Sequence, residues 1–328
     1  MNRVIVTGGN GFIGRHLVRR LFSCKLDSLT LISNTLNMND KILADSQLLN
    51  GFPLNFYRSD IRDGNSILDI FVHEKADTCI HLAAKISVAE SVKNPQETMD
   101  INVKGTLNVL DACYSSGINN FVFASSAAVY GDVDVLPISE NQPLKPLSPY
   151  GTSKMLAEQY IISHKQLKKI KNAISLRIFN VYGCGQTSES DVITRFAKRL
   201  SKGQPPVING EGAQTRDFIS VEDVVDAFIS SVTIMERGET KPTNVPPVFN
   251  IGTGKPTSIK DLALKMIEIF GLDLQPVYKE RKEDESEIKF SYADITRAKR
   301  HLGFVTKKGI EVGLREMISA MPSSNQAK

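Results

Sequence analysis

The sequence predicts an α/β fold of the doubly wound type, in which a parallel sheet is followed by a smaller α/β lobe toward the C-terminus. Short β-branched runs alternate with helical patterns through the first half of the chain, which is typical of parallel strands joined by right-handed helical crossovers. Runs such as 4–6 and 121–123 are apolar on both faces, which indicates strands covered by helices on each side. The chain has 328 residues, which is more than a single hydrophobic core usually supports, so we expect two lobes.

The strands and helices of the first lobe follow one another in an almost regular alternation. Their valine, isoleucine and phenylalanine content predicts strands at 3–7, 29–33, 54–58, 78–82, 121–125 and 175–179. Apolar residues that recur three and four positions apart predict helices at 13–22, 67–74, 103–115 and 150–171. The last helix begins after the helix-breaking residues Pro143, Pro146 and Pro149.

The second half of the chain is less regular, since prolines punctuate shorter elements beyond residue 180. We therefore predict a first lobe at 1–179 and a second lobe at 180–328. The segment near 216–250 is rich in apolar residues that require burial, and we expect it to pack back on the first lobe.

Composition and charge exclude several classes of protein. The net charge is +4. The densest cluster of basic residues is typical of a solvated helix end and contains no interleaved aromatic residues, which argues against nucleic-acid binding. The four cysteines lie far apart, with no histidine partners at metal-ligand spacing, so we expect free thiols and no metal site. We see no signal peptide and no apolar run of about 20 residues, and we expect a cytoplasmic protein without a membrane span.

A glycine-rich turn lies between the first strand and the first helix. Gly8 permits a tight turn, Gly11 lets the backbone approach a pyrophosphate, and Gly14 allows close packing of helix and strand. The helix N-terminus that follows favours an anion. This context predicts a dinucleotide-binding, Rossmann-type domain at 1–179. The loop residues expected at the cofactor are Gly8, Asn10, Gly11, Phe12, Ile13 and Gly14.

The end of the second strand departs from the usual pattern of NAD-binding folds, which carry an acid there for the ribose 2′-hydroxyl. Ser33 and Asn34 can hydrogen-bond this hydroxyl but do not repel a 2′-phosphate. We expect NAD, because no arginine stands beside Ser33, and NADP stays open. Asp60 and Ile61, after the third strand, are candidates for the adenine edge, although Asp60 also fits a solvated loop acid.

Tyr150 and Lys154 stand four residues apart at the start of a helix, which places both side chains on one face. A free phenol titrates near 10, so a base at neutral pH needs about 4 kcal/mol of preferential phenolate stabilisation. A neighbouring ammonium and the positive ring of an oxidised nicotinamide have the right sign and size. Ser125 and Ser126 lie at the end of a predicted strand, at the sheet edge where such folds bind ligands, and can orient a substrate alcohol.

Seven motifs occur in order over nearly the whole chain. They are the glycine turn, His81-Leu82-Ala83-Ala84, Asn102-Val103-x-Gly105-Thr106, Ser125-Ser126-Ala127, Tyr150-x-x-x-Lys154, Asn180-Val181-Tyr182-Gly183 and Arg216-Asp217-Phe218-Ile219. With them the chain resembles the extended short-chain dehydrogenase/reductases, within the NAD-dependent epimerase/dehydratase family, and most of all the 4-epimerases of UDP-glucose and UDP-N-acetylglucosamine. The resemblance implies a sugar-nucleotide substrate lobe at 180–328.

The resemblance also implies residue roles. Tyr150 is the base, Lys154 binds the cofactor and tunes the phenol, and Ser126 hydrogen-bonds the reacting hydroxyl. Further cofactor contacts are implied for Leu82, Ala83, Ala84 and Asn102. Substrate contacts are implied for Ser87, Val88, Ser125, Asn180, Arg216, Arg281 and Ser291. Three of these residues have alternative interpretations. Arg216 could instead form an ion pair with a nearby aspartate, and Ser291 could be only an edge-strand residue. Arg281 lies about three residues before the position where the family has its second phosphate-binding arginine.

The reaction implied by the resemblance is 4-epimerisation of a UDP-hexose through a transient 4-keto sugar. Dehydratases of the same superfamily carry a carboxylic acid pair where this chain has Ala127 and Ala128, which cannot serve an elimination. Ser291, where a tyrosine would exclude N-acetyl groups, implies activity on N-acetylated hexoses as well. An NADPH-dependent 4-ketoreductase and a non-catalytic dinucleotide-sensing regulator stay open as alternatives, and a homodimer through the helices near 103–115 and 150–168 is expected.

Overall fold

The structure is a computed structural model and describes residues 3–35, 53–188, 191–237, 246–280 and 288–321. The strands are β1 Arg3–Thr7, β2 Ser28–Ser33, β3 Leu54–Arg58, β4 Thr78–His81, β5 Asn120–Ser126, β6 Asn172–Ile178, β7 Asn180–Tyr182, β8 Val207–Asn209, β9 Thr215–Arg216, β10 Phe218–Ser220, β11 Val248–Ile251, β12 Thr257–Ser258 and β13 Val277–Lys279. The α-helices are α1 Phe12–Phe22, α2 Gly64–Glu74, α3 Val88–Lys93, α4 Pro95–Met99, α5 Gly105–Ser116, α6 Pro149–Gln166, α7 Val192–Leu200, α8 Val221–Glu236, α9 Ile259–Ile269, α10 Thr296–Leu302 and α11 Ile310–Ser319.

Seven of the strands form one sheet in the order β3-β2-β1-β4-β5-β6-β11, and every neighbouring pair is parallel. The order reverses between β1 and β4, because the chain first adds strands on one side of β1 and then returns to its other side. Ligands of such sheets bind at the carboxyl ends of the strands beside this switch point. The predicted Rossmann-type doubly wound sheet is confirmed.

Both faces of the sheet are buried, as the apolar runs predict. One face packs against α1 and α8, whose Leu17 and Phe228 are fully buried. The other face packs against α2, α5 and α6 in a second cluster that includes Phe71 and Ile161. A sheet covered on both sides by helices needs strands that are apolar on both faces, which explains the sequences of β1, β4 and β5.

The C-terminal part of the chain builds a smaller α/β region. Its short strands pair as β10 with β7, β12 with β9, and β13 with β8. Its own core cluster lies between α7, α9 and α11 and includes Phe196, Met266 and Leu314. Helix α8 contributes instead to the core of the large sheet, where Val232 is fully buried, and β11 extends that sheet beside β6.

Several elements differ from their predicted bounds. Helix α6 was predicted to run to Lys171 but ends at Gln166, because Lys168 adopts a left-handed conformation with φ of 56° that a helix cannot contain. Strand β6 therefore begins earlier than predicted, at Asn172. A π-helical turn at Asp100–Lys104 precedes α5, where the sequence pattern predicted continuous helix from 103. Within the described residues, no helix is both long and apolar enough to cross a membrane.

Candidate active site

A cavity of about 670 Å³ opens at the carboxyl edge of the sheet beside the switch point between β1 and β4. Five segments that are distant in sequence meet there: the glycine turn and the ends of β2, β3, β4 and β5. Helix α6 closes one side with Tyr150 and Lys154. The predicted site residues on the cavity wall are Gly8, Asn10, Gly11, Phe12, Ile13, Gly14, Ser33, Asn34, Asp60, Ile61, Leu82, Ala83, Ala84, Ser125, Ser126, Tyr150, Lys154 and Asn180.

The glycine turn is shaped by backbone contacts that leave no space for side chains. Gly8 has a φ of 72°, and a Cβ there would lie 2.7 Å from the backbone nitrogen of Ala83. A Cβ on Gly14 would lie 2.4 Å from the carbonyl oxygen of Gly8. Helix α1 begins right after Gly11 without a side-chain cap and without acidic residues in its first turn. Its N-terminal N–H groups are thus available for an anion.

The second-strand end forms a hydroxyl and amide cluster instead of an acidic site. The hydroxyl of Ser33 donates to Oδ1 of Asn10 at 2.6 Å, and Nδ2 of Asn10 donates to Oγ1 of Thr35 at 2.7 Å. At the third-strand end, Arg62 pairs with Asp60 at 2.7 Å and holds the pKa of that carboxyl below its usual value. Asp60 is thus an ion-paired cavity residue.

The catalytic candidates meet at the end of β5. Nζ of Lys154 donates to the carbonyl oxygen of Ala124 at 2.9 Å, and burial lowers the pKa of Lys154 to about 7. Burial raises the pKa of the Tyr150 phenol, and a hydrogen bond from Ser126 opposes that rise. The predicted tuning of the phenol by Lys154 stays a prediction.

Two predicted ligands use their side chains inside the protein. Oγ of Ser125 donates to Oε2 of Glu158 at 2.9 Å beneath the cavity. The amide of Asn102 donates to the carbonyl oxygen of Lys85 and to Oγ of Ser153, both at 2.9 Å, and its Oδ1 accepts from the backbone of Lys85 at 2.8 Å. Asn102 is 2% exposed and is not on the cavity wall. Its amide joins the segment after β4 to α6, and its predicted cofactor contact stays a prediction.

Other predicted substrate residues lie away from the cavity wall. Ser87 caps α3 by accepting from the backbone of Glu90 at 3.2 Å, and Val88 is 47% exposed. Arg216 lies in β9 and donates to the carbonyl oxygen of Thr215, which also accepts from the backbone nitrogen of Ser291 at 3.2 Å. These two residues are thus neighbours in the C-terminal region.

The last two predicted substrate residues are Ser291 and Arg281. Ser291 is 6% exposed and belongs to an extended segment beside β9. Arg281 lies outside the described residues. Asp217, next to Arg216, accepts from the backbones of Thr253, Gly254 and Ala293, so this carboxylate holds the loop after β11.

Several cavity residues were not predicted from the sequence. Lys85 lies just past β4 and pairs through Nζ with Glu97. Gln186 and Asp191 reach the cavity from the segment between β7 and α7. Lys85 is the only one with a sequence signal, since it directly follows Leu82-Ala83-Ala84 at a strand's carboxyl end. The other two come from an irregular segment whose path depends on the C-terminal region.

A buried histidine stands behind the cavity. His81 is fully buried at the end of β4, and its Nδ1 lies 2.6 Å from Oγ1 of Thr7. Its Nε2 lies 3.0 Å from Oγ1 of Thr106, which itself donates to the carbonyl oxygen of Asn102. Thr106 therefore accepts from Nε2–H of His81. Burial, with a smaller contribution from Lys154, lowers the pKa of His81 to about 3.

The cavity fits a dinucleotide in shape and chemistry. A turn without side chains leads into an open helix N-terminus, hydroxyl and amide groups follow at the second-strand end, and a lysine and a tyrosine close the far end. Among the described residues, no group of three or more histidine, cysteine, aspartate or glutamate side chains is arranged to hold a metal ion. These features define a nucleotide-cofactor enzyme of the α/β class.

Comparison with known proteins identifies the family. A family model described as "NAD dependent epimerase/dehydratase family" matches residues 4–252, and the chain belongs to this family. A UDP-glucose 4-epimerase of Thermotoga maritima, solved with UDP-glucose, is 32% identical over 98% of both chains with a TM-score of 0.85. The family resemblance predicted from the motifs is confirmed.

Two further solved structures are similar over the whole chain. A UDP-N-acetylglucosamine 4-epimerase of Methanobrevibacter ruminantium, in complex with UDP-N-acetylmuramic acid, is 30% identical over 97% of both chains with a TM-score of 0.84. A UDP-glucose 4-epimerase of Thermus thermophilus, in complex with NAD, is 29% identical over 97% of this chain and 98% of the other, with a TM-score of 0.82.

Proposed function

We propose that this chain is an NAD-dependent UDP-hexose 4-epimerase, an isomerase that interconverts the two configurations at carbon 4. The observation that carries this proposal is the meeting of Tyr150, Lys154 and Ser126 in the one cavity that also contains the glycine turn. Similar proteins with the same fold are UDP-hexose 4-epimerases, and one of them contains NAD. The two alanines after Ser126 provide no acid for an elimination, which favours epimerisation over dehydration.

The residues of this chain supply the acid–base and orienting parts of the reaction. NAD, when bound, supplies the acceptor and then the donor of the hydride. Tyr150 removes the proton from the carbon-4 hydroxyl as that carbon is oxidised, and returns it when the 4-keto sugar is reduced on its opposite face. Ser126 hydrogen-bonds the same hydroxyl, and Lys154 is expected to hold the cofactor ribose beside Tyr150.

Burial raises the pKa of Tyr150, so its action as a base requires further stabilisation of the phenolate. Burial alone favours the neutral phenol, so the tyrosine of the cofactor-free protein stays protonated at neutral pH. A positive charge beside the phenol favours phenolate, and both a protonated Lys154 and an oxidised nicotinamide carry one. Binding of the oxidised cofactor is therefore expected to lower the pKa of Tyr150.

The decisive experiment removes the phenol hydroxyl. Tyr150→Phe is expected to lower interconversion of UDP-glucose and UDP-galactose by about 100-fold or more, because proton transfer by a positioned group contributes about that much. The variant is expected to keep its NAD binding, because the phenyl ring still lines the cavity. Titration with NAD measures this binding.

Tyr278→Phe is the matched control, because Tyr278 lies on β13 in the C-terminal region, away from the cavity wall, and is 48% exposed. It makes the same chemical change and is expected to leave turnover at the parent level. Equal turnover in Tyr150→Phe and parent protein would overturn the proposal. Stoichiometric NADPH consumption with a 4-keto sugar nucleotide would support the ketoreductase instead.

The substrate range is proposed to include UDP-N-acetylglucosamine and UDP-N-acetylgalactosamine. The support is the small side chain of Ser291, together with the similarity to an enzyme named for UDP-N-acetylglucosamine. Arg216, a neighbour of Ser291 through Thr215, is the proposed diphosphate ligand. Incubation with all four UDP-hexoses, followed by product separation, measures the range. Ser291→Tyr is expected to reduce N-acetyl turnover selectively, and an unchanged ratio would leave Ser291 a purely structural residue.

The proposal includes a cytoplasmic homodimer with a two-lobed protomer divided near residue 180. All four cysteines are free thiols, which suits a reducing compartment. Tyr114 on α5 and Tyr160 on α6 are 54% and 43% exposed, so these helices offer aromatic side chains to a second copy. Sedimentation at micromolar concentration is expected to give twice the protomer mass, and a monomer would remove the dimer from the proposal.

A further inference from the structure

A buried ion pair lies directly beneath the end of β5. Glu158 on α6 is fully buried and Arg177 on β6 is 4% exposed. Nε of Arg177 donates to Oε2 of Glu158 at 3.0 Å, and its Nη2 donates to Oε1 of the same carboxylate. A buried charge pair is costly to desolvate and adds little stability over apolar residues of the same volume. Its position therefore calls for an explanation beyond folding.

The ion pair is part of a set of contacts that join β5 to α6 at three consecutive strand residues. Lys154 donates to the carbonyl oxygen of Ala124, Ser125 donates to Glu158, and Ser126 contacts the phenol of Tyr150. The three helix residues are four positions apart and share one face of α6. Glu158 thus extends the face of the catalytic candidates by one turn.

Arg177 holds the chain on the other side of Ser126. It pairs with Ser125 in the β5–β6 register, and its Nη1 donates to the hydroxyl of Tyr130 at 2.9 Å. The Tyr130 hydroxyl donates in turn to Oδ1 of Asn250 on β11 at 2.6 Å. Ser126 therefore lies between two anchored residues, Ser125 before it and Tyr130 after it, and both anchors end on the Glu158–Arg177 pair.

We propose that the Glu158–Arg177 pair positions Ser126 against Tyr150 and so acts in catalysis without touching the substrate. This inference rests on the proposed function, because it assigns a task within that reaction. The side chain of Ser126 has one further protein contact, in which it accepts from the backbone nitrogen of Ala128 at 3.2 Å. The flanking anchors therefore add side-chain restraints to the β5–β6 pairing of Ser126 with Ile178. A displacement of about 1 Å at a reacting group costs on the order of 100-fold in rate.

Two single substitutions test the positioning role. Glu158→Gln keeps the shape of the side chain but cannot neutralise Arg177, and Ser125→Ala removes one anchor while the ion pair stays intact. Both are expected to lower kcat by about 10-fold or more, with the KM for UDP-glucose and the Kd for NAD within about twofold of the parent values. Ser125→Ala serves where Glu158→Gln does not fold.

A double-mutant cycle with Ser126 separates positioning from general stability. If the pair acts through Ser126, Glu158→Gln costs much less in a Ser126→Ala background than in the parent protein. An equal loss of kcat in both backgrounds overturns the positioning role. The loss of kcat caused by Ser125→Ala is measured in the same two backgrounds. A smaller loss in the Ser126→Ala background supports the positioning role, and an equal loss overturns it.

A charge-free pair provides the matched control. Glu158→Gln combined with Arg177→Met leaves no unpaired buried charge, so its thermal midpoint is expected to recover toward that of the parent while kcat stays low. Recovery of kcat together with the midpoint overturns the proposal, because the pair would then serve folding alone. If the parent protein does not interconvert UDP-hexoses, the proposed function is overturned as well. If the parent is active but the losses of kcat in the variants are additive, only the positioning role is overturned.

Discussion

At the scale of single residues, the site depends on close backbone contacts and on buried polar groups. The glycine turn brings the backbone of β1 against Ala83, and a methyl group at Gly8 or Gly14 would overlap backbone atoms. Behind it, neutral His81 accepts from Thr7 and donates to Thr106. The glycine turn can be tested through the affinity for the cofactor. His81 can be tested through the pH dependence of the free energy of unfolding.

Gly14→Ala is expected to abolish measurable NAD binding. Its new Cβ would lie 2.4 Å from the carbonyl oxygen of Gly8 and 2.7 Å from Gly9, and these backbone atoms cannot move without opening the turn. Gly309→Ala is the matched control, because no atom lies within 4 Å of a Cβ there. Fluorescence titration with NAD compares the three proteins, and parent-like affinity of Gly14→Ala would show that the turn tolerates a side chain.

Folding stability is expected to fall as the pH drops from about 6.5 toward 3, in part through His81. The folded protein keeps this ring neutral with a pKa of about 3, whereas the unfolded chain takes up a proton near 6.5. The unfolded state therefore binds more protons throughout this window, and acid favours it by about 1.4 kcal/mol per pH unit for one such group.

Urea denaturation at pH 6.5 and 4.5 measures this contribution. His81→Asn is expected to lose about 2 kcal/mol less over these two pH units than the parent protein, because the titrating ring is gone. His73→Asn, at an exposed position on α2, is expected to follow the parent. Parallel pH dependence of all three proteins would contradict the assignment to His81.

At the scale of elements, helix α6 carries the largest share of the site. Its first turn holds Tyr150, its second holds Lys154, and its third holds Glu158. The helix begins with the side chain of Ser148 accepting from the backbone nitrogen of Gly151 at 3.1 Å. Because the catalytic candidates start two residues after this cap, the start of the helix determines where the phenol lies.

Ser148→Ala is expected to lower the free energy of unfolding by about 1 kcal/mol, the usual cost of losing an N-cap. It is also expected to reduce kcat, since fraying of the first turn displaces Tyr150. Ser148→Asn replaces the hydroxyl with another good capping group and should recover most of both losses. If alanine and asparagine behave alike in chemical denaturation, the cap does not stabilise this helix.

At the scale of the whole molecule, cofactor binding is expected to stabilise the fold, because the cavity joins segments from the glycine turn to the residues after β7. NAD at 100 times its Kd is expected to add about 2.7 kcal/mol to the free energy of unfolding. Thermal denaturation at increasing NAD concentration measures this gain as a rising midpoint. Gly14→Ala is expected to show no rise, and a rise in that variant would mean that NAD binds elsewhere.

The local part of the site was predictable from the sequence, because it obeys short-range rules. Glycine spacing in a strand–turn–helix unit and the four-residue spacing of Tyr150 and Lys154 depend only on backbone geometry within a few residues. The parallel sheet was equally predictable from strands that are apolar on both faces. These rules predicted the cavity residues Ser33 and Asp60, whereas Ala83 was implied by the family resemblance.

Only the tertiary structure decided the contacts between distant segments. Ser125 donates to a glutamate 33 residues away, and Tyr130 donates to an asparagine 120 residues away. Asn102 likewise joins the segment after β4 to α6, through partners 17 and 51 residues away. Such partners become neighbours through the strand order of the sheet and the path of its connections, which no short-range pattern encodes. The sequence by itself therefore determined the fold and the chemistry at its carboxyl edge, whereas the sheet order determined which polar groups hold that chemistry in place.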